Sequence, residues 1–205
     1  MYATGRGSRI YNNGRIELSG AKRNIGMFAE HGAELINDVN GVITTVGTGN
    51  VGQIAIAVTK GATLENKGTI DFRGERSIGM YVYLPKQATK PDGSPDYDKM
   101  FTWAKVKNLE NAEINLSGKE SYGMKLAAHA NPGTNTAEII NEGIIRLRVN
   151  PDGSDKANNS AAIALMEDES VKNNVFVEKG KTVNETKGTV ELSGVQNSIG
   201  MFINI

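Results

Sequence analysis

The stretch "RSIGMYV" covers residues 76–82, and near-copies of it stand at 23–29 ("RNIGMFA"), 120–126 ("ESYGMKL") and 197–203 ("NSIGMFI"). Each septet closes a longer unit. One unit is "YNNGRIELSGAKRNIGMF" (11–28), another "LENKGTIDFRGERSIGMY" (64–81), a third "LENAEINLSGKESYGMK" (109–125) and a fourth "VNETKGTVELSGVQNSIGMF" (183–202). Two degraded units, 35–58 and 139–165, keep the asparagine, the glycine and the apolar pair. The consensus is Asn-x-x-Gly-x-Ile-x-Leu-x-Gly, a short gap, then Ser-Ile-Gly-Met-aromatic. Self-similar units of roughly 20–45 residues define a solenoid, propeller or array.

The internal rhythm of the unit chooses among these. Ile16 and Leu18 alternate with Glu17, and Ile70 and Phe72 alternate with Asp71. In the septet, Ile25, Met27 and Ala29 alternate with Gly26 and Phe28, as Ile78, Met80 and Val82 do with Gly79 and Tyr81. Period two is the mark of strands with one buried face. No segment shows a comparable helical period. Gly20, Gly74, Gly118 and Gly194 stand between the runs, at turns expected to need positive φ.

Short strands, glycine corners and no helix lead to an all-β fold: a right-handed parallel β-helix of about six coils. The corresponding side chains then stack about 4.8 Å apart. One internal ladder is expected through Ile16, Ile70, Ile114, Ile145 and Val190. A second runs through Leu18, Phe72, Leu116, Leu147 and Leu192, and a third through Met27, Met80, Met124, Ile163 and Met201. Asn12, Asn37, Asn66, Asn111, Asn141 and Asn184 are expected to form a column of amides hydrogen-bonded one above another. The septet glycine is expected where a side chain would crowd a corner or the neighbouring coil.

Composition narrows the function. Lys plus Arg and Asp plus Glu number 23 each, and no block of like charge points to nucleic acid or to an anionic membrane. Cysteine is absent, which is compatible with a surface protein that crosses an envelope unlinked. Residues 1–205 read as a single β-helical segment, expected to be an excerpt of a longer chain because neither end carries the polar cap that a solenoid needs.

Asn66, Gly68, Ile70, Phe72, Gly74 and the run Ser77, Ile78, Gly79, Met80 and Tyr81, with their counterparts, carry a resemblance. The combined motif resembles the passenger region of the very large type V autotransporter adhesins of fusobacteria. That resemblance implies a stalk outside the bacterial outer membrane, anchored through a C-terminal β-barrel that is not in this segment. It implies adhesion to a protein or glycan of a host or bacterial cell surface. It carries over no binding residue, because the repeat motif describes a scaffold.

Sites are sought where the repeat is interrupted, since insertions between units form loops on one face of a solenoid. The first interruption, 84–103, holds the single tryptophan and a Pro-Asp-Gly turn at Pro91. Its Tyr97, Phe101 and Trp103 offer faces for stacking on sugar or anchoring a protein. The competing reading folds Phe101 and Trp103 back onto the coil. The second interruption, 150–160, is polar and reads as a solvated protrusion. Phe28, Tyr81, Lys125 and Phe202 are expected to point outward from the septet strand, and Tyr81 is the remaining candidate for partner binding.

Catalytic, cofactor and metal sites are not expected. Glu17, Asp71, Asn115, Arg146 and Glu191 form one outward column, but a coil separates Glu17 from Asp71, too far for a paired carboxylate site at roughly 5–9.5 Å. Asp96 and Asp98 lack the glycine and distal acid of a calcium loop. His31 and His129 lie on different coils without cysteine companions. The run from Gly5 to Gly7 lacks the spacing and lysine of a phosphate loop. A non-enzymatic adhesin stalk is therefore the leading expectation. A carbohydrate-active β-helix enzyme, a lyase or depolymerase, is the alternative.

Overall fold

The computed structural model describes residues 1–20, 23–84, 90–94, 103–128, 136–149, 153, 156–167, 181–184 and 188–204. The chain winds in turns of three short strands. The first coil is β1 (Tyr2–Thr4), β2 (Arg9–Asn12) and β3 (Arg15–Ser19), and the second is β4 (Ile25–Glu30), β5 (Glu34–Asn37) and β6 (Val42–Val46). The third is β7 (Ile54–Thr59), β8 (Thr63–Asn66) and β9 (Thr69–Phe72), and the fourth is β10 (Ile78–Leu84), β11 (Trp103–Asn108) and β12 (Glu113–Leu116). The fifth is β13 (Tyr122–Ala128), β14 (Thr136–Asn141) and β15 (Ile144–Arg148). The sixth is β16 (Ala161–Glu167), β17 (Lys181–Asn184) and β18 (Thr189–Ser193), followed by β19 (Ile199–Asn204).

Every third strand pairs in parallel, giving a seven-stranded sheet I (β1, β4, β7, β10, β13, β16, β19) and two six-stranded sheets. Sheet II runs β2 to β17 and sheet III runs β3 to β18, one strand from each coil. This is the parallel β-helix that the repeat implies. At about 4.8 Å per coil, its six steps from β1 to β19 span roughly 29 Å.

The apolar ladders stand in register. Ile16 pairs with Ile43, Ile70, Ile114, Ile145 and Val190 in succession. Met27 is followed by Ile56, Met80, Met124, Ile163 and Met201. Phe72, Leu116, Leu147 and Leu192 continue the column that Leu18 begins. Fully burying such a side chain contributes about 1.5–3 kcal/mol. The expected internal ladders do not stay buried to their last rungs: Leu192 and Met201, with no coil above them among the described residues, are 44% and 43% exposed. Thr45 takes the place of an apolar residue in the Leu18 column. It is tolerated because its hydroxyl accepts from Arg73 N at 2.8 Å and donates to Arg73 O at 2.9 Å. A fourth ladder, Leu35, Leu64, Val106 and Ile139, lines the inside of sheet II and was not read from the sequence.

Three expectations are corrected. First, the septet strand does not alternate at its start. Ile25 and Ile199 are 42% and 46% exposed, whereas Gly26 and Met27 both face inward. The inward glycine lets the strand lie against the core of sheet III. A Cβ at Gly79 would sit 2.6 Å from Gly123 O and 2.7 Å from Ile114 Cγ2. Second, Gly118 is not in the left-handed region, unlike Gly20, Gly74 and Gly194. It is required because a Cβ there would collide with the backbone carbonyl of Gly74.

Third, the amide column passes through Asn108, not Asn111. Asn12 donates to Asn37 at 2.8 Å, Asn37 to Asn66 at 2.7 Å, Asn66 to Asn108 at 2.8 Å and Asn108 to Asn141 at 2.8 Å. Asn184 is in register above Asn141. Asn111 instead holds a left-handed turn residue, φ 69°, on the surface. The cause is a turn of two alternating lengths between sheets II and III. In Asn12, Asn66 and Asn141 the turn glycine follows two residues on, while Asn37 and Asn108 reach Gly41 and Ala112 two residues later. Matching "LEN" at Leu64 to "LEN" at Leu109 therefore slipped the third unit by three residues.

A second buried polar ladder was hidden in the septet's serine. Ser77 N donates to Ser121 Oγ at 3.0 Å, Ser121 N to Ser160 Oγ at 2.9 Å and Ser160 N to Ser198 Oγ at 3.4 Å. Gln53 stands in for serine lower down, where its Oε1 accepts from Asn24 N at 3.2 Å. These bonds satisfy backbone amides at the corner from sheet III to sheet I that no strand can reach.

Ionic contacts also join coils. Glu30, only 17% exposed, accepts from the Tyr2 hydroxyl at 2.6 Å and from Lys60 Nζ at 2.9 Å, tying together the first three coils. The Tyr2 hydrogen bond, then that from Lys60, holds its carboxyl below the ordinary 4.5. The stabilisation is thus complete above the unfolded value and is lost as pH falls through the lower folded one. Glu30→Gln is expected to cost about 1–2 kcal/mol at neutral pH. The wild-type advantage should vanish toward pH 2, as read by urea midpoints at the two pH values. An advantage that persists there would disprove the linkage.

Candidate functional site

The three corners of the coil are not equivalent. At the corner from sheet I to sheet II, the first three coils turn tightly through 5–8, 31–33 and 60–62. Left-handed glycines make these turns, with φ of 89° at Gly5, 81° at Gly32 and 78° at Gly61. The run from Gly5 to Gly7 is one of them, closed by Ser8 N donating to Gly5 O at 3.2 Å. In the next three coils the same corner carries insertions: β10 ends at Leu84 and β11 begins at Trp103, β13 ends at Ala128 and β14 begins at Thr136, and β16 ends at Glu167 and β17 begins at Lys181. Their roots lie on adjacent coils, so all three leave one edge of the prism within about 10 Å. Sequence reading singled out the first. The other two lie between a septet and the next ladder asparagine, where the longer spacing was the available signal. The segment 150–160 leaves a different corner, from sheet III to sheet I, between β15 and β16.

Two of the four candidate partner-binding residues flank the first insertion. Tyr81 lies in the middle of β10, faces outward and is half-buried, with its ring 6.2 Å from that of Tyr83. Trp103 opens β11, pairs in register with Thr136 and is 43% exposed, and its carbonyl accepts from Gly61 N at 2.7 Å. Tyr97 and Phe101 lie outside the described residues, as do Asp96, Asp98 and His129.

The outward aromatic row of sheet I is broken. Phe28, Tyr81, Lys125 and Phe202 do share a column, but Ala57 separates Phe28 from Tyr81 and Ala164 separates Lys125 from Phe202. Aromatic pairs need ring centroids within about 4.5–7 Å, and two coils amount to roughly 9.6 Å. Tyr2 and Phe28, on adjacent coils, do stack, with ring centroids 5.8 Å apart. Lys125 turns its ammonium over Tyr122, 4.6 Å from the ring centroid.

The outer faces of sheets II and III are charged and laced across coils. On sheet II, Arg9 meets Glu34 at 2.7 Å and Lys105 meets Glu138 at 3.0 Å. On sheet III, Arg146 bridges Glu113 at 2.9 Å and Glu191 at 2.7 Å, and Arg148 reaches Asp71 at 2.9 Å. The Arg146 hydrogen bond is the main cause of a lowered Glu113 carboxyl pKa. Thr44 lies between Glu17 and Asp71 in the strand register, which keeps those carboxylates two coils apart. His31 sits at a tight corner with φ 56° and its Nδ1 lies 3.4 Å from Glu30. Among the described residues, no three His, Cys, Asp or Glu side chains cluster closely enough to hold a metal ion.

The chain is a parallel β-helix protein. No protein-family model, no curated protein and no solved structure matches it.

Proposed function

We propose that this chain is a non-enzymatic stalk segment of a bacterial surface adhesin, of the type V autotransporter passenger kind. Its stacked coils hold loops away from the cell, and the loops engage a protein or glycan on a host or neighbouring bacterial cell. One observation supports this reading above the others: three insertions rise from one corner on three successive coils. A stack of coils needs no such loops for its own stability, as the tight turns of the first three coils demonstrate. Rigid scaffolds that concentrate variable loops on one edge commonly use that edge for recognition. Tyr81, Tyr97, Phe101 and Trp103 are the aromatic anchors on this reading. The protein is extracellular on it, held at the outer membrane through a barrel outside this segment.

The tight corner supplies the test. Tyr83 is level with Thr59 and Lys105 with Thr63. Residues 84–104 can therefore be replaced by the turn Lys60, Gly61 and Ala62 without disturbing strand register. The grafted protein is expected to keep its β circular dichroism and thermal midpoint and to lose at least tenfold in binding to host or partner cells. Undiminished binding by a folded graft would remove the first insertion from the site. Release of unsaturated or reducing ends from polysaccharides by the purified chain would replace the adhesin with the enzyme.

A further inference from the structure

A groove of about 370 Å³ crosses the outer face of sheet III, at the end opposite the three insertions. It exists because the second coil presents short side chains between longer ones. Val42, Thr44 and Val46 are its floor, Arg15 of the first coil stands on one side, and Asp71 and Arg73 of the third coil stand on the other. A volume of this size falls at the small end of ligand sites, which run from about 300 to 1,000 Å³.

The groove's charges are unequally satisfied. Of the four arginines on this face, Arg15 is held by Glu17 at 2.6 Å, Arg146 by Glu113 and Glu191, and Arg148 by Asp71. Arg73 is exposed and its guanidinium has no carboxylate or hydrogen-bond partner among the described residues. Asp71 gives one carboxylate oxygen to Arg148 Nη2 at 2.9 Å, and its other oxygen has no partner among the described residues. Thr44 donates its hydroxyl proton to Asp71 O at 2.9 Å, which leaves the oxygen available as an acceptor. One guanidinium without a counter-ion, one carboxylate oxygen and one hydroxyl oxygen thus border a floor of valine methyl groups.

We propose that this groove binds a pyranose ring bearing a carboxylate, the hexuronate or sialate unit of an acidic glycan. A guanidinium presents a planar pair of N–H donors that matches a carboxylate. The Asp71 oxygen and Thr44 accept from ring hydroxyls, and Val42 and Val46 meet the apolar C–H face of the sugar. A phosphate dianion is the poorer occupant, because it would stand beside the Asp71 and Glu17 carboxylates with one uncompensated cation to offset it. This site is independent of the loop edge. The adhesin reading can fail while the groove binds, and the reverse.

The test is a titration of the 205-residue chain, followed by amide chemical shifts, with the methyl glycosides of glucuronate, of N-acetylneuraminate and of neutral glucose. At least one acidic sugar is expected to saturate, shifting residues of β3, β6 and β9, at least tenfold more tightly than the neutral one. The two acidic arms distinguish a uronate from a sialate source. Arg73→Gln should lower acidic affinity tenfold or more, to the neutral level. Val46→Phe, which fills the floor, should abolish binding of all three. The graft lacking residues 84–104 should bind as the unmodified chain does. The proposal is overturned if no acidic sugar saturates at tens of millimolar, if the neutral sugar binds equally well, or if a folded Arg73→Gln protein retains full affinity.

Discussion

Gly118→Ala is expected to destabilise the protein by about 3 kcal/mol or more, at the upper end of what overpacking a core costs. In a domain of this size that corresponds to a thermal midpoint roughly 6–12 °C lower. The added methyl would occupy the position of the Gly74 carbonyl, one coil away. A flexible side chain could swing aside, but this obstacle is backbone. Its position is set on one side by Ser117 N donating to Phe72 O at 3.0 Å and on the other by Arg76 N donating to Lys119 O at 2.9 Å. To admit the methyl, the coils must part and release these bonds. Gly20→Ala is the control. Gly20 has φ 59° and open space around its Cβ position, so its cost is the left-handed backbone alone, about 1–2 kcal/mol. Equal losses in the two variants, measured by urea denaturation, would contradict the close-approach explanation.

Asn66→Ala should be as damaging, about 3–5 kcal/mol, through a different mechanism. Asn66 is fully buried. Its Oδ1 accepts from Asn37 at 2.7 Å, and its Nδ2 donates to Asn108 Oδ1 at 2.8 Å and to Gly68 O at 3.2 Å. Truncation leaves one N–H of Asn37 and the Oδ1 of Asn108 without partners inside the prism, and each such group costs about 1–3 kcal/mol. Gly68 O keeps the bond from Glu113 N at 3.0 Å. Asn12 ends the ladder, donating to Asn37 at 2.8 Å and accepting from Gly14 N at 3.3 Å. Asn12→Ala should therefore cost only about 1–2 kcal/mol. Asn111, the residue first placed in the column, is on the surface, and Asn111→Gly should be close to neutral because φ 69° suits glycine. If Asn12 and Asn66 proved equally sensitive, the amides would not be acting as a cooperative column.

The asparagine and glycine columns also mark how far a repeat can be read without coordinates. Ile114 above Ile70 and Met124 above Met80 followed from period two plus recurrence, because parallel stacking places like residues over like. Ile25 was misplaced, since alternation assumes an unbroken strand and the septet glycine interrupts it. Asn108 was missed because local identity at "LEN" outweighed a two-residue change in turn length. Ser77 and Ser121 were visible in the consensus, but their amide-capping role depends on a corner whose shape no linear pattern encodes.

By itself, the amino-acid sequence determined that this protein stacks short parallel strands around ladders of Ile, Leu and Met, with asparagine amides bonded between coils. Those properties are local and periodic, so each copy of the unit reports them again. Only the tertiary structure decided that three separate insertions share one corner, and that Arg15, Thr44, Asp71 and Arg73 border one groove. Both facts depend on which side of the prism each turn occupies. In the asparagine column the number of residues between successive rungs varies from 25 (Asn12 to Asn37) to 43 (Asn141 to Asn184) as insertions are taken up, while the rise per coil stays near 4.8 Å. Distance along the chain is thereby uncoupled from distance in space, and only the folded coil restores the relation.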